Sequence, residues 1–227
     1  MTIHSDIKEN GYAVVKNMLS SEDIDNLIYQ NIHPEYPFQS NDPKVAEINY
    51  NFNKLVDFAN KAMNKDYKVF MQKIYFKNKF IGDYEVYHQD YFFRTSLKIP
   101  ASEYLQVFIA LENLYYTPLN VFTGSHKLGL LPHINCLEKT GNAKYRIPNE
   151  ILNTYKDSFT SIHLKKGSAI FFDYRLIHGS GSNATPFDQP RAVIQLCTHT
   201  IDKINHGSDR RKFEIDILNK LLQSKNE

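Results

Sequence analysis

A chain of 227 residues with a net charge of +2, its Lys and Arg interspersed with acids, lacks the charge excess of a nucleic-acid binder. Its hydrophobic fraction of 42% supports a sizeable core, yet no run of apolar residues is long enough to cross a membrane. The length suits one domain over residues 1–227, and the polar start (Met1 to Gly11) has no signal-peptide core, so a cytoplasmic protein with neither membrane nor nucleic-acid partner is expected.

Gly11-Tyr12-Ala13-Val14-Val15 predicts a short strand. Ser20 or Ser21 then caps a helix with Glu22 and Asp23 in its first turn, where the helix dipole favours acids. Ile24, Leu27 and Ile28 form its buried stripe. His33 to Asp42 carries prolines and should be irregular. Val45, Ile48, Phe52, Leu55 and Phe58 recur at helical spacing, which predicts a second helix from about Pro43 to Asn64. Strands follow: Val69 to Phe76, then a polar turn over Asn78 to Asp83, then a strand through Val86 to Phe93. Tyr104 to Leu111 is almost continuously apolar, as in a strand buried on both faces. A short strand, Asn120 to Phe122, leads to a turn at Gly124-Ser125-His126-Lys127. Leu130 to Ser161 reads as loop with a short helix near Glu150 to Tyr155. Further strands are expected over Ser168 to Ile177 and Arg191 to Thr200, and an amphipathic helix through Phe213, Ile217, Leu218, Leu221 and Leu222 ends the chain. Cys136 and Cys197 have no metal-site spacing and read as reduced thiols. Helices first and many short strands after them give an α+β, mainly β fold: a jelly roll with helices on its outside.

His88-Gln89-Asp90 is the stretch with the most chemistry. In an extended backbone, residues two apart face the same way, so an imidazole and a carboxylate project together. Two histidines and one carboxylate with open positions are the ligand set of non-haem Fe(II) that also binds O2. His4-Ser5-Asp6 has the same spacing, but lies at the terminus with no apolar strand around it. His178, followed by small residues Gly179 to Ser182, is either the third ligand or a core histidine bonded to backbone. Arg191 shares a strand face with Val193, Gln195 and Cys197; pointing inward it needs a carboxylate, from the protein or from a dicarboxylate cosubstrate. Gln106 interrupts the apolar strand and must bond either backbone or a ligand.

These stretches together resemble the phytanoyl-CoA dioxygenase-like family of Fe(II)/2-oxoglutarate oxygenases. The matching segments are Gly11 to Lys16, Tyr87-His88-Gln89-Asp90, Gly124-Ser125-His126-Lys127, and Gly167 to Asp173 through His178-Gly179-Ser180 to Arg191. The resemblance implies a double-stranded β-helix, Fe(II) held by the catalytic set His88, Asp90 and His178, and 2-oxoglutarate held at its distal carboxylate by Arg191 with Ser180 as helper. It places Gln106 where a cosubstrate or substrate contact often lies. The implied reaction is hydroxylation or desaturation with O2, giving succinate and CO2; Asp90 argues against halogenation, because related halogenases lack that carboxylate. Two departures concern loops. Tyr116-Thr117-Pro118-Leu119 replaces an Asn-Gly-type turn, and Asn183 to Pro190 is a longer connection to Arg191. The substrate is expected to be a small polar or anionic molecule, with Arg94, Tyr91 and His126 as candidate contacts and Lys127 and Arg146 as further cations; Tyr87, Phe92 and Phe93 could line its pocket. Two other classes stay open: a cupin-type metal enzyme that does not use 2-oxoglutarate, and a catalytically silent jelly-roll binding protein.

Overall fold

The described strands form two antiparallel sheets packed face to face, their central strands buried on both sides, and a separate two-stranded ribbon. The computed structural model describes residues 2–31, 44–77, 86–137, 143–181 and 183–200. In chain order the elements begin with α1 (Ile3–Asn10), β1 (Tyr12–Val15), α2 (Ser21–Asn31), β2 (Lys44–Glu47), α3 (Asn53–Met63) and β3 (Lys68–Lys77). A 3-10 helix spans Asp90–Leu97, and then come β4 (Tyr104–Ala110), β5 (Leu119–Phe122) and a 3-10 turn at Ser125–Leu128. The rest are β6 (Ile134–Leu137), β7 (Ala143–Arg146), α4 (Asn149–Thr154), β8 (Phe159–Ile162), β9 (Ala169–Phe172), β10 (His178–Ser180) and β11 (Gln189–Cys197).

The larger sheet has the order β1-β9-β4-β11-β3-β2, and the smaller one β10-β5-β8. One face of the large sheet presents Leu105, Val107, Ile109, Phe171, Ala192, Ile194 and Leu196 to Ile7, Ile24, Leu27, Leu55 and Ala59 of the three helices. Burial of each larger aliphatic there contributes about 1.5–3 kcal/mol. The other face presents Phe108, Ala110, Ile170 and Phe172 to Leu119, Val121 and Ile162 of the small sheet. The same pleat turns Gln106, Arg191 and Gln195 inward, into the space between the sheets. This is the expected jelly roll with helices packed outside. No helix among the described residues is long and apolar enough to cross a membrane.

Several local expectations are corrected. Lys44–Glu47 is not helical but pairs with β3 as an edge strand, and the helix begins only at Asn53, where the Asn51 side chain accepts the Asn53 N–H (2.9 Å). The apolar spacing of Val45 and Ile48 fitted a helix, but tertiary pairing took the first part of that segment into the sheet. The N-terminus is ordered: Thr2 and Ser5 exchange bonds as a capping box, and Gly11 at φ 89° closes α1. His4-Ser5-Asp6 therefore sits on a helix, where residues two apart diverge. The strand expected over Ser168 to Ile177 stops at Phe172; a turn follows, and β10 starts in the other sheet. The Leu130 to Ser161 segment holds β6, β7 and β8 besides its short helix. Cys197 is a free, buried thiol. The turn over Asn78 to Asp83, the His33 to Asp42 segment and the C-terminal amphipathic helix lie outside the described residues.

Candidate metal centre

The backbone around His88 is not the long strand the aromatic pattern suggested. His88 makes an isolated β-bridge with His178, exchanging His88 N–H to His178 O (3.1 Å) and His178 N–H to His88 O (3.0 Å), and the chain turns into the 3-10 helix at Asp90. One extended residue suffices: Gln89, at φ −115° and ψ 126°, puts His88 and Asp90 on the same side. The bridge brings in His178, 90 residues away in sequence, from the start of β10.

Ligand-type atoms of His88, Asp90 and His178 all lie within 4.8 Å of one another. His88 Nε2 is 3.5 Å from Asp90 Oδ1, and His178 Nε2 is 3.7 Å from Asp90 Oδ2. Each imidazole meets a backbone carbonyl at Nδ1: Val86 O for His88 and Leu176 O for His178, both at 3.0 Å. A carbonyl only accepts, so Nδ1 carries the proton and the Nε2 lone pair faces the cluster. Burial pushes His178 down to about 4, against the pull of Asp90, which leaves its ring neutral at neutral pH. Burial would raise the Asp90 carboxyl, but the two imidazoles and the Arg94 guanidinium outweigh it and hold it below its ordinary value. Asp90 Oδ2 is buried with no hydrogen-bond partner among the described residues. Two oriented lone pairs and an unsatisfied carboxylate oxygen fit a divalent iron.

Arg191 enters the same inter-sheet space from β11, opposite Ala110 and Tyr75. It is 3% exposed, and among the described residues its guanidinium makes one hydrogen bond, Nη2 to Thr117 Oγ1 (3.2 Å). Its guanidinium carbon is 5.3 Å from the centre of the Phe108 ring, and Nε and Nη1 have no partner among the described residues. Burial lowers the group to about 10, still cationic at neutral pH. No described carboxylate lies within ion-pair distance of this buried cation. An external carboxylate fits it, since an unpaired buried charge is expensive. Gln106, opposite Phe172 and Gln195, also buries an Oε1 with no partner among the described residues. Ser180 is half-buried in β10, opposite Leu119, and its carbonyl accepts Lys77 Nζ (2.6 Å).

The substrate candidates separate. Arg94 points inward: Nη2 donates to Gln195 Oε1 (2.8 Å), its guanidinium lies 5.6 Å from the Phe70 ring centre, and Nε is unpartnered among the described residues. Tyr91 spends its hydroxyl on Ile99 O (3.2 Å) and its N–H on Tyr174 O (2.9 Å). His126 is buried against α1, with Nε2 on Lys8 O (3.1 Å) and Nδ1 so near Gly11 that a Cβ there would approach within 2.7 Å. Neither joins the cluster. Lys127 pairs with Glu9 on the surface (3.0 Å), and Arg146 donates to Asn149 (3.0 Å). Phe93 meets the His88 ring edge-on at 5.8 Å, Phe172 lies 4.8 Å from His178, and Tyr87 turns away toward Phe122.

Sequence reasoning missed several supports. Thr117, in one of the two departing loops, is the residue that Arg191 touches. Ser125 Oγ accepts the Ile177 N–H (2.9 Å), so the Gly124-Ser125-His126 turn braces the strand that carries His178. Asn183 Nδ2 donates to Lys77 O and Phe187 O, closing the long loop that feeds β11. Gln195 could have been found, because it shares the Arg191 face.

His133, stacked on Phe92 with ring centres 4.1 Å apart, is pushed by burial from 6.5 to about 4. The unfolded chain takes up this proton near pH 6.5 and the folded chain only near 4. The contribution is therefore whole above pH 6.5 and is lost as pH falls to about 4. The melting temperature should decline across that window, and His133→Asn should flatten the decline; an unaltered pH profile would assign the loss to other groups.

The fold and the cluster define a class, a jelly roll with a candidate two-histidine, one-carboxylate metal site. Residues 32–193 match the phytanoyl-CoA dioxygenase (PhyH) family model, and the chain belongs to that family. An ectoine dioxygenase of Sphingopyxis alaskensis is 26% identical over 152 residues, 62% of this chain; the chain matches half the length of that relative. EvdO2 of Micromonospora carbonacea var. aurantiaca, solved with 2-oxoglutarate, superposes with a TM-score of 0.64 at 13% identity, covering 88% of this chain and 91% of that one. The non-haem α-ketoglutarate-dependent epimerase SnoN, from nogalamycin biosynthesis, superposes with 0.61 at 14% identity, covering 86% and 81%.

Proposed function

We propose that this chain is an Fe(II)- and 2-oxoglutarate-dependent dioxygenase that hydroxylates an unactivated C–H bond of a small-molecule metabolite. The observation that carries the reading is the pairing of the His88, Asp90 and His178 cluster with a buried Arg191 that has no carboxylate partner among the described residues, between the same two sheets. Family membership and the fold agree with it. Strands from Tyr12 to Cys197 join one sheet, which favours reading the chain as one catalytic domain.

In this reading His88, Asp90 and His178 would hold iron. Arg191 would take the distal carboxylate of 2-oxoglutarate in a bidentate fork that pairs Nη2 with either Nε or Nη1. Ser180 and Gln106 are further cosubstrate contacts. With O2, iron and 2-oxoglutarate held there would supply the chemistry for C–H hydroxylation, with succinate and CO2 as coproducts. Phe93 and Phe172 wall the two imidazoles and exclude water from the reacting side. Gln195 holds one edge of the Arg94 guanidinium and leaves Nε for a substrate. A small anionic metabolite suits that arrangement.

Anaerobic addition of Fe(II) and then 2-oxoglutarate should raise a weak visible charge-transfer band, and O2 should then release succinate. Metal bound without a band would favour a cupin-type enzyme that does not use 2-oxoglutarate; no metal bound would favour a silent protein. Chloride or bromide in the assay should leave the product unhalogenated, because Asp90 fills the halide position. Arg94→Ala should raise KM for an anionic substrate about tenfold or more, from loss of a charge-assisted bond, with 2-oxoglutarate binding intact; unchanged kinetics would remove the anion contact.

A further inference from the structure

Gln89 stands between two of the cluster residues and is 0% exposed. Its extended backbone sends its side chain away from His88 and Asp90, to the back of the site. There the amide is saturated. Nε2 donates to Arg175 O (2.6 Å) and to Gly129 O (2.8 Å), and Oε1 accepts the Leu131 N–H (2.8 Å). The Gln89 N–H donates to His133 Nε2 (3.1 Å).

The partners are themselves fixed. Asp173 accepts from the Arg175 backbone N–H (2.8 Å), Nε (2.9 Å) and Nη2 (2.7 Å), so the turn that leads to His178 is rigid. Gly129, at φ 75° and ψ −157°, adopts a conformation open essentially to glycine, and its carbonyl faces the Gln89 amide. The β-bridge between His88 and His178 fixes their spacing with two parallel bonds, but such a pair leaves the segment free to roll about its own axis. A roll would swing His88 and Asp90 together away from His178. The Ile147 N–H to Tyr87 O and Tyr91 N–H to Tyr174 O bonds (both 2.9 Å) hold the segment's ends, and the Gln89 side chain, off that axis on the opposite side, opposes the roll between them.

We infer that Gln89 is a positioning residue of the metal centre: its amide braces the His88–Asp90 pair against the Arg175 turn that carries His178 and against Gly129–Leu131. The inference rests on the iron-site reading above. It ties the 129–133 segment to the ligand pair, so the seating of that segment is felt at the metal.

The test uses the full chain with Co(II), whose visible bands report ligand geometry. Gln89→Met keeps the volume and removes the side-chain bonds. Gln89→Glu, which keeps the acceptor and loses both donors, is measured beside it in case the first does not fold. Leu55→Ala, in the helix-side core, is the control for lowered stability alone. Both Gln89 variants should bind Co(II) about 10- to 100-fold more weakly, as when an outer support of a ligand is lost, with altered bands. Leu55→Ala should keep affinity and bands at a comparable melting temperature. Wild-type bands and affinity in a folded Gln89 variant, or equal weakening in Leu55→Ala, would overturn the inference. A wild-type chain that takes up no Co(II) would instead overturn the iron-site reading. Hydrogen exchange of the His88 and His178 amides then decides: selective loss of protection in the Gln89 variants supports the brace, and unchanged protection removes it.

Discussion

His178→Ala should lose Fe(II) by at least about 100-fold, more than the loss of an outer support costs, while its far-ultraviolet spectrum stays that of the wild type. The bridge to His88 is made by backbone atoms of residue 178, so it survives truncation of the ring. What goes is one of three oriented donors. The remaining pair, His88 Nε2 and Asp90 Oδ1 at 3.5 Å, could still touch a metal from one side only. The ring's departure also leaves Asp90 Oδ2 facing a void beside Phe172. Equilibrium dialysis under argon measures the effect. Near-stoichiometric Fe(II) in this variant would mean that the metal sits elsewhere or that the third ligand is another group.

Arg191→Met should separate stability from cosubstrate binding. In the free protein the guanidinium is a buried cation with one hydrogen bond and no described carboxylate partner. Replacing it with an apolar side chain of similar length relieves that burial, so apo stability should hold or rise. The affinity for 2-oxoglutarate should move the other way. Removing one partner of a buried charge pair costs about 2–5 kcal/mol, which is about 30- to 5,000-fold in Kd. Calorimetric titration of the Fe(II)-loaded protein and a thermal melt of the apo protein give both signs. A melting temperature that falls with unchanged 2-oxoglutarate affinity would make Arg191 structural and favour a metal enzyme with another cosubstrate.

The residue types and local spacings already pointed to this chemistry. An H-x-D needs only one extended residue to aim both side chains together, so His88 and Asp90 were legible even though the strand around them was not. Strand alternation put Arg191, Val193 and Gln195 on one face, and the register bears this out. The run at Tyr104 to Leu111, apolar but for Gln106, read as a strand covered on both sides, and it lies at the heart of the large sheet.

Long-range pairing decided the rest. Nothing local to His178 links it to His88 and Asp90; the bridge to His88 does. His126 has an equally suggestive setting, yet α1 reaches it first. Tyr91 lies one residue beyond Asp90, yet its hydroxyl is taken by Ile99. Val45 and Ile48 had helical spacing, but the open edge of β3 offered backbone hydrogen bonds to Lys44–Glu47 that spacing does not record. Gln89 looked like a spacer because its partners are 40 and 86 residues away. Short-range pattern thus determined which groups could act, and contacts across the chain decided which of them meet, because the side chains around a metal site are gathered by sheet register and buried hydrogen bonds rather than by neighbours in sequence.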